Sequence, residues 1–332
     1  MRSEKLQFEG ALGDELVGRL ETPTGGDPVA YALFAHCFTC SKDLKAAVNV
    51  SRALAAERIA VFRFDFTGLG ESAGDFADTN FSSNVDDLVA AADFLAGEYE
   101  APEVLVGHSL GGAAVLQAAS RVPSSRAVAT IGAPAEPGHV VDNFEEKIDE
   151  ILERDEAEVT LAGRSFTIRR QFLEDLEETR MAETVRELDR ALMLFHSPVD
   201  NTVGVDNAAR LYEWAKHPKS FVSLDWADHL LLEPRDSRFV GTMLAAWARR
   251  YLEGVDLEEE TGRRDSWNVE EDEVAVRIGR ERFRTEIMAG GHPLVADEPE
   301  DVGGTDQGPT PYDLLSASLG TCTAMTLRMY AD

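Results

Sequence analysis

The residues best suited to chemistry are one serine, one histidine and one aspartate, which lie far apart in the chain. The serine is the centre of Gly107-His108-Ser109-Leu110-Gly111. A serine hydroxyl is a weak nucleophile at neutral pH unless a base accepts its proton and a third group orients that base. The pattern therefore predicts nucleophilic catalysis if the chain supplies both partners.

The sequence around Ser109 predicts a strand, a sharp turn and a helix. Residues 104–106 are apolar, and an Ala-rich stretch begins at residue 112. Gly107 and Gly111 allow the strand and the helix to approach each other, which leaves the Ser109 hydroxyl at the tip of the turn. The first N–H groups of the helix point to the same place. We expect Ser109 to be the nucleophile; the alternative is a glycine-rich turn with a solvated serine.

The acid and the base are expected in loops that follow two later strands. Asp200 follows the predicted strand 191–196, and His229 follows the predicted strand 220–224. Both loops open at the carboxyl edge of a parallel sheet, where the Ser109 turn also lies. The order serine, acid, histidine is the one that this turn requires. We therefore predict a catalytic triad of Ser109, Asp200 and His229.

Other acids and histidines are less well placed. Asp206 begins a predicted helix and is better explained as its N-cap. Asp225 and Asp228 are too close to His229 in sequence to orient its ring easily. Five further histidines lie at strand ends, in a turn, in an insertion or beyond a linker: His36, His196, His217, His139 and His292. For the two at strand ends, His36 and His196, we expect structural hydrogen bonds.

The oxyanion of acyl transfer needs two converging N–H donors. One is expected at the backbone N–H of Leu110. The other is expected in the turn after the third strand, where we choose the N–H of Phe38. Cys37 and Cys40 flank this donor. Since the chain has one other cysteine and no second ligand pair, we predict no metal site and interpret the two as small buried thiols.

Composition and charge restrict the class of protein. The chain has 332 residues, of which 44% are hydrophobic, enough for two domains or for one large domain and a fragment. The absence of a long apolar run or a signal peptide, and the presence of only three cysteines, predict a soluble cytoplasmic protein. A net charge of −29 argues against nucleic acid or an anionic membrane as a partner. We expect a small-molecule acyl substrate and no cofactor, and we hypothesise adaptation to high salt.

Strands and helices alternate over residues 1–252. Continuous apolar runs, typical of strands buried on both faces, are separated by helical stretches, which demands parallel pairing. We predict an α/β class with a doubly wound, mostly parallel sheet. Residues 134–188 interrupt the alternation with acidic helical stretches around a short strand pair. We interpret them as a helical lid insertion, and the alternative is a solvated excursion without a role in substrate binding.

Residues 1–252 resemble the α/β-hydrolase fold family. The resemblance is carried by Gly107-His108-Ser109-Leu110-Gly111 as the nucleophile elbow. The run from Phe62 to Ser72 is similar to a strand and loop of esterase and peptidase-like members. Asp200 and His229 fall where the family carries its acid and base. The resemblance implies a serine hydrolase of esterase or acyl-transfer type that forms an acyl-enzyme; a scaffold with a vestigial triad is another reading.

A second module is predicted after an acidic linker at residues 253–265. Residues 266–332 resemble the start of the OsmC/Ohr family, carried by residues 296–299, 303–315 and 319–327. The resemblance implies an incomplete α+β segment whose complete form is an intertwined homodimer. It also places Cys322 at the first of two cysteines that reduce organic hydroperoxides. We therefore expect a fragment of a longer fusion, with peroxide reduction by the complete module as the alternative function.

Overall fold

A computed structural model describes residues 2–23, 27–161, 163–253, 273–278, 282–290 and 292–331. The chain divides into two compact units, Met1–Val255 and Asp256–Asp332. The linker predicted at 253–265 lies, apart from its first residue, outside the described residues. Within the described ranges, every helix is too short or too polar to span a membrane.

Ten strands lie among the described residues of the first unit. They are Arg2–Glu9 (β1), Glu15–Thr22 (β2), Ala30–Ala35 (β3), Ile59–Phe64 (β4), Val104–His108 (β5), Ala127–Ile131 (β6), Glu156–Leu161 (β7), Arg164–Arg169 (β8), Ala191–His196 (β9) and Lys219–Ser223 (β10). Eight of them form one sheet in the order β1-β2-β4-β3-β5-β6-β9-β10. Pairing is parallel from β4 to β10, and β1 and β2 are antiparallel additions at one edge. The prediction of an α/β fold with a mostly parallel sheet is confirmed.

Helices cover both faces of this sheet. They are Lys45–Ala56 (α1), Phe81–Glu98 (α2), Leu110–Ala118 (α3), Ile148–Arg154 (α4), Arg170–Glu178 (α5), Met181–Arg186 (α6), Asp206–Trp214 (α7) and Pro234–Ala248 (α8). One hydrophobic core lies beneath α1 and α8, and another lies beneath α2 and α3. Every residue of β3, β4, β5, β6 and β9 is buried, because apolar side chains of these strands enter both cores. The carboxyl ends of the central strands are thereby fixed as one rigid edge.

The segment between β6 and β9 begins with a 3₁₀ stretch, Pro137–Lys147, and continues through α4, the antiparallel hairpin β7–β8, α5 and α6. Apolar side chains of the segment, such as Phe144, Phe172 and Met181, are buried in the core that α2 and α3 cover. The segment therefore packs against the sheet domain.

The second unit contains a three-stranded antiparallel sheet and one long helix among its described residues. The strands are Val274–Ile278 (β11), Thr285–Ala289 (β12) and His292–Ala296 (β13), and the helix is Pro311–Ala331 (α9). A loop between β13 and α9 is organised by the Asp297 carboxylate, which accepts hydrogen bonds from the N–H groups of Thr305 and Gln307 at 3.0 and 3.2 Å. No described residue of α9 is buried.

Candidate active site

Ser109 occupies the turn between β5 and α3 with φ 55° and ψ −125°. A residue with a side chain rarely adopts this left-handed conformation, and such strain is concentrated at functional sites. A Cβ atom at Gly107 would lie 2.2 Å from the carbonyl oxygen of Gly111, and one at Gly111 would lie 2.4 Å from the carbonyl oxygen of His36. Glycine is therefore required at both positions, and the turn can close tightly around the serine.

Three side chains from three loops form a continuous hydrogen-bonded chain. The Ser109 hydroxyl lies 3.0 Å from Nε2 of His229, and Nδ1 of His229 lies 2.7 Å from Oδ2 of Asp200. Because a carboxylate can only accept, Nδ1 carries the hydrogen and Nε2 is free to accept the serine proton. The structure thus brings together the three residues that the sequence predicts as a triad.

The Asp200 carboxylate is held in place from both sides. Its Oδ1 accepts the N–H groups of Thr202 and Val203 at 2.8 and 2.9 Å, while its Oδ2 accepts His229. Burial alone would raise the pKa of Asp200, but the hydrogen bonds from His229 and from these N–H groups outweigh burial and hold its pKa below the ordinary value. Asp200 is therefore ionised at neutral pH and fixes the tautomer of His229.

The alternative acids are engaged elsewhere. Asp206 stands in the first turn of α7, whose N-cap is Val205, so the prediction of Asp206 as the N-cap is wrong; the helix begins one residue earlier than the polar pattern indicates. Asp225 accepts the hydroxyl of Ser223 at 2.6 Å. Asp228 accepts two N–H groups within its own loop, at 2.8 and 3.0 Å. None of these three carboxylates meets His229 in the structure.

The histidines at the strand ends make main-chain hydrogen bonds. His36 Nδ1 donates to the carbonyl oxygen of Cys37 at 2.8 Å, and His196 Nε2 donates to that of Val203 at 2.7 Å. Both side chains are buried. The structural role expected for these two residues agrees with this geometry.

The two predicted oxyanion donors belong to segments that meet beside Ser109. Phe38 lies in the turn after β3, and Leu110 is the first residue of α3. Their side chains line one narrow apolar cavity of about 10 Å³, together with rings that include Phe76. The turn after β3 thus faces the start of α3, as an oxyanion hole requires.

Cys37 and Cys40 form a disulfide, so the interpretation of this pair as buried thiols is wrong. The N–H of Cys40 donates to the carbonyl oxygen of Cys37 at 3.1 Å, and this turn brings the two Cα atoms to 5.3 Å, within the range that a disulfide spans. The bond encloses Phe38, one of the predicted oxyanion donors. Among the described residues, no cluster of His, Cys, Asp and Glu could hold a metal ion.

A buried ion pair behind the same turn is absent from the sequence predictions. The Lys42 side chain is 1% exposed, and its Nζ donates to Asp65 and to Glu71, each at 2.7 Å. The backbone N–H groups of Lys42 and Glu71 also donate to Asp65, at 2.7 and 2.9 Å. Burial would lower the pKa of Lys42, but the hydrogen bonds to Asp65 and Glu71 raise it above the ordinary value. The sequence feature that could have indicated this ion pair is a lysine close after a buried strand, in a chain with few lysines.

The sheet order and the serine turn after β5 define an α/β-hydrolase fold. A model of the alpha/beta hydrolase family matches residues 32–304, which is more than half of the chain. The chain therefore belongs to the α/β-hydrolase family, and the prediction that the protein is an enzyme, a hydrolase, is confirmed.

Individual proteins are similar to this chain in sequence or in structure. The esterase domain of a Rhodothermus marinus protein is 51% identical, with a TM-score of 0.63, over 76% of this chain and 100% of that one. The rat mitochondrial palmitoyl-protein thioesterase ABHD10 is 34% identical over 103 residues, which are 29% of this chain and 33% of that protein. Mouse alpha/beta hydrolase domain-containing protein 10 is 21% identical and shares the fold, with a TM-score of 0.61 over 74% of this chain and 99% of that one.

Proposed function

We propose that this hydrolase cleaves ester or thioester bonds with Ser109 as nucleophile, His229 as base and Asp200 as the acid that orients the base. The observation that carries the proposal is the hydrogen-bonded chain of 3.0 and 2.7 Å through these side chains. An esterase domain at 51% identity and a thioesterase with a shorter match are consistent with this bond class.

The proposed reaction proceeds through an acyl-enzyme. Ser109 Oγ attacks the carbonyl carbon of the substrate while Nε2 of His229 accepts the hydroxyl proton, and Asp200 stabilises the imidazolium that forms. The oxyanion accepts hydrogen bonds from the N–H groups of Phe38 and Leu110. His229 then gives the proton to the leaving alcohol or thiol, and a water molecule that His229 activates releases the acid.

We propose further that the segment between β6 and β9 is the lid of this site. Phe172 of α5 packs against Phe38 with ring centroids 5.6 Å apart, and Phe166 of β8 packs against Phe76 at 4.9 Å. Arg164, at the start of β8, donates to the carbonyl oxygen of Thr39. The rings of Phe38 and Phe76 also line a cavity of about 10 Å³, which holds about one water molecule. The segment therefore packs on two of the rings that line this cavity, as a lid would.

Peroxide reduction is not the function proposed for this chain. Cys322 is a free and exposed thiol on α9, and the other two cysteines are bonded to each other. A reaction that needs a second thiol therefore has no partner cysteine in this sequence. The resemblance to the OsmC/Ohr family, the homodimer that it implies and the domain boundaries remain predictions.

The decisive experiment is covalent labelling with a fluorophosphonate, combined with the burst of p-nitrophenol from p-nitrophenyl acetate. We expect the wild type to be labelled and the Ser109→Ala variant to lose labelling and about 10⁴-fold or more in kcat. Ser120→Ala is the matched control, because Ser120 is an exposed serine just beyond the end of α3. An unlabelled wild type, or label that persists in Ser109→Ala, contradicts the proposal. Absence of a burst over a range of salt favours a scaffold.

A further inference from the structure

A second histidine, His108, lies directly behind the proposed base. It is the last residue of β5, precedes the nucleophile and is 1% exposed. Its Nε2 lies 2.7 Å from the main-chain carbonyl oxygen of His229, 121 residues further along the chain. The two imidazole rings are 5.3 Å apart between centroids. None of the steps of the proposed reaction uses this residue.

The partner of His108 determines its protonation. A carbonyl oxygen only accepts, so Nε2 carries the hydrogen and donates it. The other ring nitrogen, Nδ1, is buried and has no hydrogen-bond partner among the described residues. Burial is the main cause that lowers the pKa of His108 to about 4, and the neighbouring His229 adds to it. The ring is therefore neutral at pH 7, so no second cation opposes the imidazolium that forms at His229.

An unpartnered polar atom in a core costs stability, and each such atom in a native protein requires a physical explanation. An aliphatic side chain at position 108 would fill the same space without leaving Nδ1 unpaired. The feature that an aliphatic residue cannot supply is the Nε2–H bond to the main chain of His229. This bond joins the strand that ends at the nucleophile to the loop that carries the base.

We propose that His108 is a positioning residue, whose neutral ring holds the main chain of His229 so that the base keeps its distance from Ser109. The proposal rests on the proposed function, since it assigns His108 to the same reaction. The loop of His229 also contains internal hydrogen bonds to Asp228, but these do not tie it to β5. Loss of the His108 bond therefore frees the base relative to the nucleophile, and a displacement of about 1 Å can lower a rate about 100-fold.

The test compares three uncharged replacements in the full chain, with p-nitrophenyl acetate as substrate. The amide nitrogen of Gln in H108Q reaches about as far as Nε2 and can donate to the carbonyl oxygen. The amide of Asn in H108N is too short, and Met in H108M has no donor. We expect H108N and H108M to lower kcat by about 10- to 100-fold with KM within about twofold of wild type, and H108Q to stay within about threefold. The rate of fluorophosphonate labelling should fall in parallel with kcat.

The outcomes separate the two proposals. Equal kcat values for H108Q and H108N, or a wild-type kcat in H108M, overturn the role of His108 and leave the triad in place. If H108M does not fold, the Gln and Asn pair decides, because both residues are polar and differ by one methylene group. If only H108Q shows a cooperative melting transition, His108 is a folding residue and the proposal is wrong. A wild type that is neither active nor labelled overturns the proposed function itself.

Discussion

Replacement of Lys42 by Met removes the cation from the buried ion pair behind the oxyanion turn. Asp65 is 0% exposed, so its carboxylate would lose the Nζ donor at 2.7 Å and gain no water. Removing one partner of a buried pair costs about 3 to 5 kcal/mol. The N–H groups of residue 42 and of Glu71 still donate to Asp65 in the variant, so we expect the lower end, about 3 kcal/mol.

The assay is urea unfolding followed by far-ultraviolet circular dichroism, with Lys5→Met as the matched control. Lys5 contacts the same Glu71 at 2.8 Å, but both side chains are 47% exposed, and exposed pairs contribute about 0 to 1 kcal/mol. The free energy of unfolding should therefore fall strongly for Lys42→Met and hardly at all for Lys5→Met. In the double variant Lys42→Met, Asp65→Asn, the loss of unfolding free energy should be smaller than the sum of the losses in the two single variants. The buried carboxylate that Lys42 compensates is then gone.

Glu71 offers an independent readout of the same perturbation. Hydrogen bonds from Lys42 first, and from Lys5 second, lower its pKa to about 2. In Lys42→Met the pKa of Glu71, measured by nuclear magnetic resonance, should rise toward 4.5, its ordinary value. The reasoning about this ion pair is refuted if the free energy of unfolding of Lys42→Met lies within about 0.5 kcal/mol of the wild-type value, as for ordinary surface substitutions. It is also refuted if that free energy is no lower than the one of Lys5→Met.

Three further predictions concern acid, reduction and salt. The pKa of His108 is 6.5 in the unfolded chain and about 4 in the folded protein, so the unfolded chain binds more protons between these pH values. The contribution of His108 to the free energy of unfolding should be complete above pH 6.5 and should fall by about 3 kcal/mol toward pH 4. The His108→Gln variant should lack this pH-dependent loss. The Cys37→Ser, Cys40→Ser double variant opens a four-residue loop, so its free energy of unfolding in urea should be about 2 kcal/mol lower than that of wild type. Wild type in a reducing dithiol should have the same free energy of unfolding as this variant. Equal stability of oxidised and reduced wild type contradicts the disulfide. With a net charge of −29, stability should rise with potassium chloride as repulsion is screened, and a melting temperature independent of salt contradicts salt adaptation.

The sequence predicts the central sheet and the residues of the proposed triad because each is marked by a local pattern of residues. The strands are short apolar runs whose residues are all buried. Gly107 and Gly111 can be predicted because the sharp turn leaves no room for a side chain at either position, where a Cβ atom would collide with backbone atoms. The positions of Asp200 and His229 can be predicted because each residue follows a strand, and parallel strands end at one edge of the sheet.

The remainder of the site depends on side-chain direction, which the sequence does not specify. Lys42 and Asp65 meet because two neighbouring turns fold toward each other. The alternation of polar and apolar residues does not predict this contact. The Cys37–Cys40 bond depends on a turn geometry that a C-x-x-C spacing permits without requiring. The bond from His108 to His229 spans 121 residues, and no spacing rule joins a strand residue to a distant carbonyl group.

The hydrogen bond between Ser109 and His229 also joins residues that are 120 positions apart in the chain. Contacts this distant in sequence form late in folding, because the chain between them must first be ordered. β10, which precedes His229, lies at the edge of the sheet among the described residues and pairs there with β9. During refolding, recovery of activity should therefore lag behind recovery of helix and strand content. The time course of activity then measures the formation of the contact between Ser109 and His229.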